Sequence, residues 1–140
     1  MTTKGSRALG VDLGTKRVGL SIGDKTLKIA TGYRVIEYKN RENLVENLRE
    51  ITLNEEIGII VIGLPVNMDG SEGNKAREAR NISELIKSRM NVDVVLVDER
   101  LSTAEAIRKL HAANQKAGSN RKRIDMMAAT IILQDYLDTP

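Results

Sequence analysis

Residues 10–24 read "GVDLGTKRVGLSIGD", and one acid, Asp12, stands there among small and aliphatic residues that otherwise have the make-up of a sheet interior. "RALGVDL" before the turn signals Gly14 and Lys16, and "RVGLSIG" after them, are two extended runs, so the chain opens as a β-hairpin. A third extended run, Tyr33 to Tyr38, adds an antiparallel strand. From Glu42 the apolar residues Leu44, Leu48 and Ile51 recur at helical spacing as far as Asn54. "IGIIVIGL" is then a continuous aliphatic run, the pattern of a strand covered on both faces, and the loop "PVNMDGSEG" follows it.

A second helix is expected from Asn74 to Met90, with Ala76, Ala79, Ile82, Ile86 and Met90 facing inward. "VDVVLVDE" is another aliphatic strand, and "STAEAIRKLHAA" begins a third helix in which Ser102 and Glu105 have capping-box spacing. The basic, Gly- and Ser-containing stretch through Arg123 is expected to be a mobile loop. The last helix, "IDMMAATIILQDYL", puts Ala129, Ile132 and Tyr136 on one stripe headed by Asp125. The order β-β-β-α-β-α-β-α-α implies an α/β fold: a mixed sheet, antiparallel first and parallel afterwards, flanked by helices. In open α/β sheets, sites form beyond the carboxyl ends of strands. Asp12, the loop from Pro65, and Asp98 with Glu99 all lie at or just after such ends, so they can converge.

With 140 residues and 41% hydrophobic content, the chain fits a single domain, residues 1–140, that buries a core unaided. The absence of cysteine excludes disulfides, thiolate zinc sites, iron–sulfur clusters and cysteine nucleophiles, and the lone His111 excludes a multi-histidine metal site. The GxSxG spacing of "GLSIG" (Gly19 to Gly23) falls inside an extended run and not at a strand-to-helix turn, so it makes no nucleophile elbow, which argues against a serine hydrolase. The longest apolar stretch, Ile57 to Val66, is about half of a membrane span, and no apolar signal segment leads the chain, so a soluble cytoplasmic protein without membrane association is expected.

The net charge of +3 and a pI near 9.3 suit a polyanionic partner. Distribution says more than the total. From His111 to Ile124 there are four basic residues and no acid, and Lys16 and Arg17 make a second basic pair beside Asp12. Phe and Trp are absent, and only Tyr33, Tyr38 and Tyr136 are aromatic, so contact with a sugar–phosphate backbone fits better than a platform for stacked bases.

Three acidic positions recur at element ends: Asp12, the pair Asp98 and Glu99, and Asp125. Each has a plainer reading. Asp12 before a glycine is also a turn-former, and Asp125 at a helix start also caps amides and complements the dipole. Three carboxylates brought together in a partly dry site repel one another unless divalent cations offset the charge or some hold protons. Oxygen ligands are what this chain offers, and they suit magnesium or manganese; two ions would activate water and stabilise the leaving oxygen of a phosphodiester. Asp98 and Glu99 are neighbours on a strand and face opposite ways, so one of them enters such a site, and periodicity does not choose which. In "GLPVNMDG", Asn67 and Asp69 either shape a loop or meet substrate. "NRKR", with Arg121, Lys122 and Arg123, is either a solvated basic surface or a guide for a nucleic-acid backbone.

Four pieces, "VDLGTKRVGLS", "VIGLPVNMDGSEG", "VDERLST" and "RIDMMAATIILQDYL", together resemble the YqgF (RuvX) family of Holliday junction resolvases and pre-16S rRNA nucleases in the RNase H-like superfamily. The resemblance spans nearly the whole chain in the expected order. It implies an RNase H-like fold, and a metal-dependent nuclease in which Asp12, Glu99 and Asp125 hold Mg²⁺ or Mn²⁺ while water attacks. By the same analogy Glu99, not Asp98, is the acid of the "DER" motif, and Arg17, Asn67, Arg100 and Arg123 meet substrate; the charge and loop pattern adds Lys16, Asp69, Arg121 and Lys122 to the expected substrate contacts. "KIATGYRVIEYKN" lacks the proline that the family pattern has after the alanine, so the place of that edge strand stays open.

The implied substrate is structured nucleic acid: the 5′ end of pre-16S rRNA, with the pre-ribosomal small subunit as partner, or a four-way DNA junction. Symmetric junction cutting would favour a homodimer, whereas end trimming needs only a monomer. Two other classes compete. "DLGTKRVG" also looks like the phosphate hairpin of actin- and Hsp70-like ATPases, but those close two related domains over a nucleotide and this chain has room for one. A binding module without activity would keep the basic surface and need no acid cluster.

Overall fold

The computed structural model describes residues 5–14, 16–99, 106, 109 and 120–140. The first two strands, β1 (Arg7–Leu13) and β2 (Arg17–Asp24), form the expected hairpin, with Asp12 opposite Gly19 and Arg7 opposite Asp24. They are followed by β3 (Ile29–Glu37), α1 (Arg41–Asn54), β4 (Ile57–Leu64), α2 (Asn74–Arg89), β5 (Asp93–Asp98) and α3 (Asn120–Asp138). The sheet order is β3-β2-β1-β4-β5. β1–β2 and β2–β3 are antiparallel, while β1–β4 and β4–β5 are parallel, as the element order implies.

The two faces of the sheet differ because β1 and β2 alternate large and small residues. Leu9, Val11, Val18, Leu20 and Ile22 point to one face, where they pack with Leu44, Val45, Leu48 and Ile51 of α1 and Ala76, Ala79, Ile82 and Ile86 of α2. Each fully buried Leu or Ile there is worth about 1.5–3 kcal/mol relative to exposure. Ala8, Gly10, Asp12, Gly19, Ser21 and Gly23 point to the other face, and α3 lies on it. Small residues let the helix come close. A Cβ on Gly10 would stand 2.8 Å from the Ala129 carbonyl oxygen, and Ser21 Oγ donates to that same oxygen at 2.7 Å. β4 serves both layers and is buried along its whole length.

Helix α1 begins where the Asn40 side chain accepts from the Asn43 amide at 2.8 Å, a side-chain cap on its first turn. Helix α2 carries Lys87 and Arg89 in its last turn, where positive charge complements the dipole. Among the described residues, no helix is long and apolar enough to cross a membrane.

Three expectations need correction. The third strand begins at Ile29, not Tyr33, because Asp24 closes the preceding turn and delivers the chain straight into pairing with β2. The last helix begins by Asn120, so Arg121, Lys122 and Arg123 are helical and not part of a loop. It follows that Asp125 is not a first-turn acid, and the capping explanation for it falls away. Of the helix expected from Ser102, Ala106 and Lys109 are helical and the rest lies outside the described residues.

Candidate active site

Asp12 is the last but one residue of β1, and only 7% exposed. Across the antiparallel ladder it faces Gly19 of β2; on the parallel side Val11 pairs with Ile62, which makes Asp12 and Gly63 the next residues on their strands. The acid therefore has a glycine beside it on either side, and both gaps are filled by other carboxylate-bearing residues. A Cβ on Gly19 would stand 2.2 Å from the Asp125 carbonyl oxygen and 3.1 Å from Asp125 Cβ. On Gly63 it would stand 2.0 Å from Glu99 Oε1. Asp125 and Glu99 thus lie over neighbouring strands on the α3 face, flanking Asp12.

Glu99 follows β5 directly, and its amide donates to the Leu64 carbonyl at 3.2 Å, which ties the turn after β5 to the end of β4. Its side chain is fully buried, reaching back over Gly63 to meet α3 near Ile132. Asp98, one residue earlier, is exposed. The alternation that left the pair undecided is resolved in space: Glu99 turns inward and Asp98 outward.

Asp125 projects from the second turn of α3, and its Oδ2 is 3.2 Å from Arg17 Nη2. Arg17 opens β2, two residues before Gly19, and so shares its face. Among the described residues, no three acids are already set around one point as ligands of an ion. Glu99 and Asp125 lie on either side of Asp12, and the Arg17 guanidinium stands beside the Asp125 carboxylate.

The remaining candidates divide. Lys16 is exposed in the hairpin turn, its carbonyl accepting from the Tyr38 amide at 3.1 Å. Arg121 is half-buried and one helical turn before Asp125 on the same side of α3, whereas Lys122 and Arg123 are exposed. Asn67 and Asp69 are exposed, and both bond to Ser71: Asn67 Nδ2 donates to Ser71 Oγ at 3.0 Å, and Asp69 Oδ1 accepts from the Ser71 amide at 2.9 Å. Those bonds build the loop itself, as its Gly, Asn and Asp content suggests. Arg100 lies outside the described residues.

Gly19 and Gly63 were not singled out in the sequence, although a signal was there. Glycine inside a strand marks a close approach by something else, and "RVGLSIG" and "IGIIVIGL" each contain one at the critical row.

The profile of the RuvX family, described as Holliday junction resolvase, matches residues 6–139. The chain belongs to this family. Among its relatives, a protein of Anaeromyxobacter sp. (strain Fw109-5) named "Putative pre-16S rRNA nuclease" is 42% identical over 132 residues, covering 94% of this chain and 96% of that one. A Geobacillus sp. (strain WCH70) protein of the same name is 39% identical over 135 residues, covering 95% and 98%. Solved structures extend the likeness to fold. Thermus thermophilus RuvC superposes with a TM-score of 0.55 at 13% identity, covering 94% of this chain and 93% of that one. Fowlpox virus resolvase in complex with Holliday junction DNA gives 0.54 at 10% identity, covering 95% and 99%. The RuvX chain therefore has the RNase H-like fold expected from its motifs.

Proposed function

We propose that this protein is a divalent-cation-dependent nuclease that hydrolyses phosphodiester bonds in structured nucleic acid, with the 5′ end of pre-16S rRNA as its substrate. One observation carries the reading: Asp12 stands in a row with two glycines, and Glu99 and Asp125, remote in sequence, occupy the space those glycines leave. A merely structural strand end needs no such arrangement. Three carboxylates held away from water repel one another, and a cation is the simplest remedy. The donor set is all oxygen, which fits Mg²⁺ or Mn²⁺. Asp12, Glu99 and Asp125 would hold the metal, and a pair of such ions supplies an activated water and charge stabilisation for the leaving oxygen.

The chain's own cations do the rest. Lys16, Arg121, Lys122 and Arg123 offer positive charge from the hairpin turn and the first turn of α3, on either side of the acids, so a phosphodiester backbone can be drawn across them. The names of relatives near 40% identity support precursor 16S rRNA as substrate, and from that substrate we infer the assembling small subunit in the cytoplasm as the setting. The family's description supports a second reading, cleavage of four-way DNA junctions.

Incubation of the full chain with labelled precursor RNA and with a four-way junction, in Mg²⁺, Mn²⁺ or chelator, tests this. Cleavage of the RNA that needs the metal is the expected result. Cutting of the junction alone would transfer the activity to DNA, and binding of both without cutting would leave only a binding module.

A further inference from the structure

The Arg17 guanidinium, expected from the sequence to meet substrate, instead stands against the Asp125 carboxylate, its Nη2 3.2 Å from Oδ2. The pair is sheltered, with side-chain exposures of 25% for Arg17 and 14% for Asp125. Asp125 also sits against Gly19, directly across the ladder from Asp12, so the guanidinium lies at one end of the row of acids. An arginine does not lose its proton at any ordinary pH, and it is therefore a permanent positive charge at that place. A metal ion approaching Asp125 meets an oxygen that already has a positive charge 3.2 Å away.

We propose that Arg17 is an internal stand-in for the cation at Asp125: it offsets carboxylate repulsion until a divalent ion takes that oxygen, and the guanidinium is then released toward the phosphate backbone. The stem of Arg17 springs from the first residue of β2, beside the exposed turn, so it can swing outward without moving the strand. The released fork is suited to a phosphodiester, because guanidinium binds phosphate oxygens in pairs. Loading of the ion and capture of the substrate are thereby linked through one side chain. The inference rests on the reading of Asp12, Glu99 and Asp125 as cation ligands.

Calorimetric titration of the full chain with Mn²⁺ alone tests it, on the parent protein and on Arg17→Gln, Arg17→Lys and Asp12→Asn. Removing a competing half-buried ion pair should tighten Mn²⁺ binding by Arg17→Gln about fivefold. Arg17→Lys, which keeps the charge without the fork, should fall between the two and guards against a glutamine variant that does not fold. Asp12→Asn should lose the binding, assigning the ion to the acids. An arginine that merely props up the structure would, when removed, loosen the acids and weaken Mn²⁺ binding, the opposite sign. Equal or weaker binding by both Arg17 variants overturns the inference and leaves the metal reading standing. No Mn²⁺ binding by any of the proteins overturns that reading, and the inference with it.

Discussion

The two ends of the first hairpin each carry an aspartate next to a turn, and they have opposite fates. Asp24 ends β2 half-buried, where its Oδ1 accepts from the amides of Thr26 at 2.7 Å and Leu27 at 2.9 Å. The amides that hold it lie within three residues. Asp12, at the other end of the same ladder, is buried, and the acids on either side of it come from the residue after β5 and from α3, more than eighty residues further along. One carboxylate is used locally to make a turn; the other becomes meaningful only when distant elements pack over it.

The largest effect separating the two ends should come from Asp12→Asn. It keeps the shape of the side chain and removes the charge, so the fold should survive while cleavage of precursor RNA falls by more than about a hundredfold, since even the outer partners of metal ligands are commonly worth ten- to a hundredfold. Asp24→Asn should leave the cleavage rate unchanged. Rates measured side by side, with circular dichroism to check folding, would break the comparison if both variants behaved alike.

Gly63 and Ile62 sharpen it within a single strand, because they point to opposite faces of β4. A Cβ at Gly63 collides with the Glu99 carboxylate, so Gly63→Ala should displace that group and lower activity at least about tenfold, with a stability loss of about 1–3 kcal/mol from overpacking. Ile62→Val, on the α1 and α2 face, should cost about 0.5–1.5 kcal/mol in chemical denaturation and leave activity alone. Ser21→Ala probes the same close approach more gently. Losing its bond to the Ala129 carbonyl should destabilise the protein by about 1 kcal/mol.

This contrast also explains what could be read from the chain. The hairpin, α1, β4, α2 and β5 were legible because their apolar residues keep a period of two or of 3.6 and their ends carry turn residues. The start of α3 was not, since "NRKR" has no apolar stripe and only docking on the sheet reveals it as helix. The start of β3 failed for a related reason: the turn at Asp24 depends on side-chain bonds to amides, with Lys28 at a φ of 57°, a conformation that its sequence does not advertise. For the site, the resemblance named Asp12, Glu99 and Asp125 as a set, whereas composition and spacing alone could not choose Glu99 over Asp98. The deciding fact is that a residue one step beyond β5 folds back over a glycine in β4, and no local pattern contains it.

The smallest expected effect belongs to the Asp24 end. Two backbone amides hold the Asp24 carboxyl below the ordinary aspartate value of 3.8, with Arg7 adding a minor pull in the same direction. A carboxyl depressed in the folded state binds its proton more weakly there than in the unfolded chain. Its contribution to stability is therefore present above the unfolded value and is lost as pH falls through the folded one. Asp24→Ala should accordingly lower the melting temperature slightly at neutral pH, and the gap from the parent should narrow steadily on acidification below the usual carboxylate range. A gap that stayed constant with pH would mean that the turn draws on the shape of the residue and not on its charge, and the two aspartates would then differ in kind as well as in surroundings.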